Sequence, residues 1–252
     1  MVAGLWFKEM RTIIIVQARM GSTRLPGKVL KRVMGRPLLE YQIERLKKVE
    51  NVTDVVIATT ISQNDDPIKE LCKELHCSYF RGSESDVLLR YYETAIKFNA
   101  ECIVRVNSDC PLIDPGVVEE IVEYYSNHNE LDYVSNILEK SYPIGLHTEV
   151  FSMKALRQAN DNANSAIERE HVTPYIYRNP DIFKLFSYSI EDDLSKYRWT
   201  VDYPEDFELI RIIIMGLYPD KADFNMFDII NLMSSDPGLI KINSRFAKEQ
   251  TL

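Results

Sequence analysis

No apolar run in this chain approaches the roughly 20 residues that a membrane-spanning helix needs. Residues 2–10 are too short and too weakly basic for a secretory signal. Positive charge is not in excess: 30 Lys and Arg stand against 38 Asp and Glu, a net charge of −8, which argues against nucleic acid or an anionic membrane as a general partner. Cysteine is scarce. Cys72, Cys77, Cys102 and Cys110 show no C-x-x-C spacing, so a disulfide scaffold is not indicated, and reduced core thiols of a cytoplasmic protein are expected. Internal repeats and low-complexity tracts are missing as well, and so is any composition shift that would mark a linker. Two nucleotide signatures also fail. There is no G-x-G-x-x-G, and the nearest approach to a Walker loop has five residues between Gly21 and Gly27 and a Val after Lys28 where the metal-binding hydroxyl belongs.

What is present is a hydrophobic content of 45% over 252 residues, ample for a core and of a size that favours one domain over two. We read 1–11 as a loose leader, with Met10 an alternative start, and 12–252 as a single domain. Ile13-Ile14-Ile15-Val16 reads as a buried strand. It breaks into a polar loop through Ala18, Arg19, Gly21, Ser22, Thr23, Arg24, Pro26, Gly27 and Lys28. Glycine amides and hydroxyls can approach phosphate oxygens closely, and three cations, Arg19, Arg24 and Lys28, can neutralise them. Ligands of open α/β sheets bind at such strand ends. The alternative is a basic surface turn.

Further strands are expected over 55–59, 78–80, 103–106 and 132–135, alternating with helices over 37–48, 66–75, 86–98 and 114–127. That alternation predicts a three-layer α/β/α fold on a mostly parallel mixed sheet. The second half is less regular: strands over 144–151, 183–189 and 197–201, helices over 152–161 and 166–177 with a possible interruption at Pro174, a long helix from Pro204 to 217 and a terminal one over 224–233.

Asp109 and Asp202 each follow an expected strand, so their carboxylates can meet over one sheet edge. Such a pair suits Mg²⁺, which takes phosphate oxygens and water as further ligands. The competing reading is two helix-capping aspartates, with Asp202 well placed before Pro204. Arg81, Gly82, Ser83 and Asp86 offer donors and acceptors for a nucleobase, although Ser83 or Ser85 can equally cap the next helix. Arg105 is a weaker candidate that can simply pair with a neighbouring carboxylate. His147 and Glu149, two apart on an expected strand, would share one face. Arg169 and His171 fit a substrate carboxylate or phosphate, or else a charged helix face at a subunit contact.

With R-x-G-S-T-R-L-P-G-K at its start, the chain resembles the sugar-activating cytidylyltransferases, which include the CMP-ketodeoxyoctonate and CMP-sialic acid synthetases, and most of all the spore coat polysaccharide SpsF group. The likeness continues through Val104 to Asp114, Glu149-Val150, Arg169 to Thr173 and Thr200 to Phe207. It implies a Rossmann-like nucleotide-diphospho-sugar transferase fold, with Asp109 and Asp202 as the metal aspartates and the 81–86 loop beside the cytosine. It also implies CTP and an acidic or phosphorylated sugar as substrates, Mg²⁺ as cofactor, pyrophosphate as product, surface polysaccharide as destination and a homodimer as assembly. On that reading Arg19, Lys28, Asp109 and Asp202 are catalytic, and Glu149, His147, Arg169 and His171 contact the acceptor. His147 departs from the group's G-L-D-x-E-V pattern. A glycosyltransferase using a finished sugar nucleotide and a non-catalytic nucleotide-binding subunit stand as the alternatives.

Overall fold

The computed structural model describes residues 10–246. The expected leader therefore lies outside the described residues except for Met10 and Arg11. In chain order the elements are β1 (Thr12–Gln17), β2 (Arg32–Val33), β3 (Arg36–Pro37), α1 (Leu38–Leu46), β4 (Asp54–Thr60), α2 (Asp66–Glu74), β5 (Ser78–Gly82), α3 (Val87–Lys97), β6 (Cys102–Asn107) and α4 (Pro115–Asn127). They continue with β7 (Tyr133–Ser135), β8 (Glu149–Ser152), α5 (Met153–Asn162), α6 (Ala166–His171), α7 (Pro174–Tyr177), β9 (Leu185–Ser187), α8 (Pro204–Leu217), α9 (Met226–Ser235) and α10 (Gly238–Lys241).

Seven strands form one sheet in the order β5-β4-β1-β6-β8-β7-β9, with only β8 antiparallel to its neighbours. Alternation along β1 sends Ile14 and Val16 to one face, where α1, α2, α4, α8 and α9 pack, and Ile13 and Ile15 to the other, covered by α3, α5 and α7. The expected three layers are therefore present. The chain runs outward from β1 through β4 to β5, then returns to lay β6 on the other side of β1. The order reverses between β1 and β6, whose last residues Gln17 and Asn107 are partners, and a crevice opens past their carboxyl ends.

Several boundaries differ from expectation for identifiable reasons. The segment 197–201 is not a strand. It makes one bridge, Arg198 with Ile144, and then sends the Val201 amide and the Thr200 hydroxyl to the Asp109 carbonyl at 2.8 and 3.1 Å. Of the expected 144–151 strand only 149–151 joins the sheet, as part of β8, because Gly145, at φ 109, turns the chain and the Asn136 side chain takes the Leu146 carbonyl and the Thr148 amide. A Cβ on Gly145 would meet the Trp199 backbone at 2.6 Å, so this close approach requires glycine. The helix over 166–177 is broken as its proline suggested, with Val172 at φ 73 between α6 and α7. The short β2–β3 hairpin was not anticipated, and Pro37 caps α1 rather than opening it. No helix among the described residues is long and apolar enough to cross a membrane.

Candidate active site

The loop after β1 is held at its neck. The Met20 amide donates to Asp65 Oδ1 at 2.6 Å, and the Met20 carbonyl accepts from the Ser22 and Gly27 amides at 2.9 and 3.1 Å. Asp65 is 2% exposed, and its other oxygen accepts from the Thr60 hydroxyl. Gly27 (φ 67) then turns the chain into a short 3₁₀ turn that starts at Lys28.

From there Lys28 Nζ donates to Asp109 Oδ2 at 3.1 Å and to Asp202 Oδ1 at 2.9 Å. Residues 174 apart in sequence meet because 200–201 is stitched to the Asp109 carbonyl. Asp202 also takes Arg24 Nη2 at 2.9 Å and Arg198 Nη2 at 3.1 Å. Its capping reading fails. Asp206 receives the amides of Asp202 and Tyr203, leaving the Asp202 carboxylate to the cations. Burial acts to lower the Lys28 pKa, but Asp109 and Asp202 outweigh it and hold the ammonium above its usual range. Burial likewise opposes ionisation of Asp202, yet Lys28, Arg24 and Arg198 bring its pKa below the usual carboxylate value.

Two cavities meet here, of about 360 and about 810 Å³. They share Arg24, Arg105, Asn107, His171 and Asp202. The smaller is lined by Ala18, Arg19, Gly21, Ser22, Lys28 and Asp109 from the expected set; the larger takes His147 and Glu149. His147 does not sit on β8, but it faces the same cavity as Glu149, and burial pushes its pKa down, favouring neutral imidazole. Glu149 is 2% exposed and already engaged: Arg105 Nη1 donates to Oε2, and the hydroxyls of Tyr133 and Thr173 donate to Oε1 at 3.0 and 2.9 Å. Its visible work is to hold Arg105 in the wall between the two cavities.

Five expected site residues line neither cavity. Arg81 donates to Asp66 and to the carbonyls of Thr60 and Ser62, at 2.7, 2.7 and 2.8 Å, which fastens β5 to the segment after β4. Gly82 closes β5 opposite Thr60. Ser83 accepts the Asp86 amide, and Asp86 caps α3 through the Leu89 amide. Neither serine caps that helix. Arg169 grips Asp86 with Nε and Nη2 and also donates to the Asn160 carbonyl, so it ties α6 to α3 instead of facing a ligand. Conversely, Arg90, Asn107 and Arg198 line the cavities without having been singled out. Arg198 gave no local signal, because an i,i+4 spacing to Asp202 marks a pair only on a helix and this segment is not helical.

Two carboxylates aimed at one ammonium form a hard-oxygen pair around a cationic point, which is a suitable donor set for Mg²⁺ that keeps positions for phosphate and water. No group of three or more His, Cys, Asp or Glu is placed to hold a metal among the described residues, so a closed structural zinc site is not offered.

A cytidylyltransferase family model matches residues 13–219. The chain belongs to the cytidylyltransferase family. This cytidylyltransferase is 40% identical over 237 residues to an uncharacterized protein of Methanocaldococcus jannaschii, covering 93% of this chain and 95% of that one. It is 28% identical to the spore coat polysaccharide biosynthesis protein SpsF of Bacillus subtilis, over 89% of this chain and 95% of SpsF. Among solved structures, a cytidylyltransferase from Leptospira borgpetersenii superposes with a TM-score of 0.87 at 34% identity, covering 96% of this chain and 99% of that one. The enzyme class is thereby nucleotidyl transfer, not glycosyl transfer from a finished sugar nucleotide.

Proposed function

We propose that this enzyme activates an acidic or phosphorylated sugar with CTP, giving a CMP- or CDP-linked product and pyrophosphate for surface polysaccharide or a related glycoconjugate. The observation that carries the reading is the meeting of Asp109 and Asp202 on Lys28 at the junction of two cavities. The smaller cavity, lined by Ser22, Arg19, Arg24 and Lys28, suits the triphosphate. The larger suits an anionic acceptor. Its lining includes Arg24, Arg105, Lys140, Arg178 and Arg198 against the carboxylates of Glu149 and Asp202.

In the reaction an acceptor oxygen forms a bond to the α-phosphorus while the bond to the β-phosphate oxygen breaks, and pyrophosphate carries away the electron pair. Asp109 and Asp202 would hold Mg²⁺; when bound, that ion supplies charge neutralisation at the phosphate oxygens and lowers the pKa of the attacking hydroxyl. Lys28 and Arg19 would offset charge on the α-phosphate and the leaving group, and Arg24 on the β- and γ-phosphates. Arg198 keeps the Asp202 carboxylate oriented. Arg105, fixed by Glu149, positions an anionic group where nucleotide and acceptor meet. A homodimer in the cytoplasm completes the proposal; four buried free cysteines are consistent with a reducing compartment.

The test is an array of the four NTPs against sugar acids and sugar phosphates, read by mass spectrometry of nucleotide-linked products. CTP with one class of anionic sugar should yield product only when Mg²⁺ is present. Products formed from neutral sugars alone would refute the acceptor class.

A further inference from the structure

Arg90, on α3, lines the smaller cavity and is 1% exposed. Its Nη1 donates to the Ser83 carbonyl, while Nε is buried with no acceptor among the described residues. No carboxylate lies within ion-pairing distance of it there. A buried guanidinium with an unused donor is costly unless something outside the chain completes it. The path of this side chain is also provided for. A Cβ on Gly82 would meet Arg90 Cγ at 3.0 Å, so glycine at the end of β5 lets the arginine stem pass.

Of the residues lining that cavity, the loop after β1 supplies phosphate-binding groups, and Arg24, Arg105, Asn107, His171 and Asp202 are shared with the acceptor cavity. Gln17, Val87, Arg90, Ser108, Asp109 and Glu170 belong to neither set, and of these Val87 and Arg90 both come from α3. Val87 offers an apolar surface and Arg90 a planar array that only donates. A flat heterocycle with acceptor atoms on one edge fits that combination.

We infer that Arg90 is the residue that selects the base, donating to the O2 and N3 acceptors of a cytosine ring packed beside Val87. Uracil carries a proton on N3 and would confront those donors with another donor, so the same group that favours cytosine disfavours uracil. Arg81, whose guanidinium is spent on Asp66 and two backbone carbonyls, does not serve this purpose. The inference rests on CTP being the nucleotide, as proposed above.

Calorimetric binding of CTP and of UTP to the intact protein, without acceptor, tests it. Wild-type protein should prefer CTP. Arg90→Lys, which keeps the stem and the charge but loses the fork, should weaken CTP binding about tenfold while UTP binding barely changes, the loss expected of one good base contact. Gly82→Ala, which displaces the arginine without removing it, should reduce the same preference, and thermal unfolding of both variants checks that they are folded. An equal loss for both nucleotides would place Arg90 on the triphosphate and overturn the assignment, as would an unchanged preference in both variants. Wild-type protein that binds no CTP would overturn this inference together with the proposed function.

Discussion

Lys28→Met removes the ammonium and keeps most of the stem. Asp109 then loses its only ion-pair partner among the described residues, while Asp202 retains Arg24 and Arg198. Removing one member of a fully buried pair costs about 3–5 kcal/mol, and an exposed pair contributes at most about 1 kcal/mol. The Lys28 side chain is 13% exposed and those of Asp109 and Asp202 are 24% and 11%, so the cost should fall between, about 1–3 kcal/mol. For a chain of this size that lowers Tm by roughly 3–10 °C. Catalysis should suffer more. If the ammonium neutralises charge that develops on the phosphates, its loss should reduce kcat by about 10²–10³, the range for removal of one preorganised stabilising group. Thermal unfolding and pyrophosphate release at 25 °C, where the variant is still folded, separate the two effects. Turnover within a few-fold of wild type would remove Lys28 from the mechanism, and an unchanged Tm would show that the ion pairs contribute no net stability.

Three further outcomes follow from the same geometry. Asp202 has a depressed pKa when folded, so the stability it contributes is present above the ordinary Asp value near 3.9 and lost as pH falls through the folded value; Lys28, raised above 10.5, loses its contribution only as pH rises beyond that. Urea midpoints should therefore decline below about pH 4, and Asp202→Asn should make that acid decline shallower; an identical acid limb in the variant would contradict the assignment. Glu149→Gln should raise KM for the acceptor about tenfold with little change for CTP, because Arg105 loses the charge that orients it; a matching loss for both substrates would mean general collapse of the site. Asp65→Ala leaves the Met20 amide without its partner and should raise KM for CTP several-fold, measured by initial rates; unchanged KM would show that the loop keeps its shape unaided.

Much of the site was legible because strand ends are legible. A β-branched run that stops at a polar cluster predicts a buried strand and an exposed turn, and 12–18, 55–59 and 103–106 all fall on observed strands, with Asp109 just past one of them. Asp202 does meet Asp109 at Lys28, but the reason for expecting it there was partly wrong. The 197–201 segment looks like a strand because buried extended chain has the same composition, and its sequence does not reveal that its hydrogen bonds go to the Asp109 carbonyl instead of a ladder. Arg81 and Arg169 were misplaced because charge shows in a sequence while its partner does not. Arg169 meets Asp86 across 83 positions, and nothing local signals that pairing. Arg90 escaped notice for the opposite reason. It sits among Leu88, Tyr91 and Ala95 on the inner face of α3, where a helical period treats a lone arginine as noise.

Crystals of the protein grown with CTP and Mn²⁺, with data collected at the manganese absorption edge, test the central claim most directly. One anomalous peak should appear within ligand distance of both Asp109 and Asp202, with the triphosphate against the loop from Ala18 to Lys28. A peak coordinated by other carboxylates, or a triphosphate bound away from that loop, would contradict it.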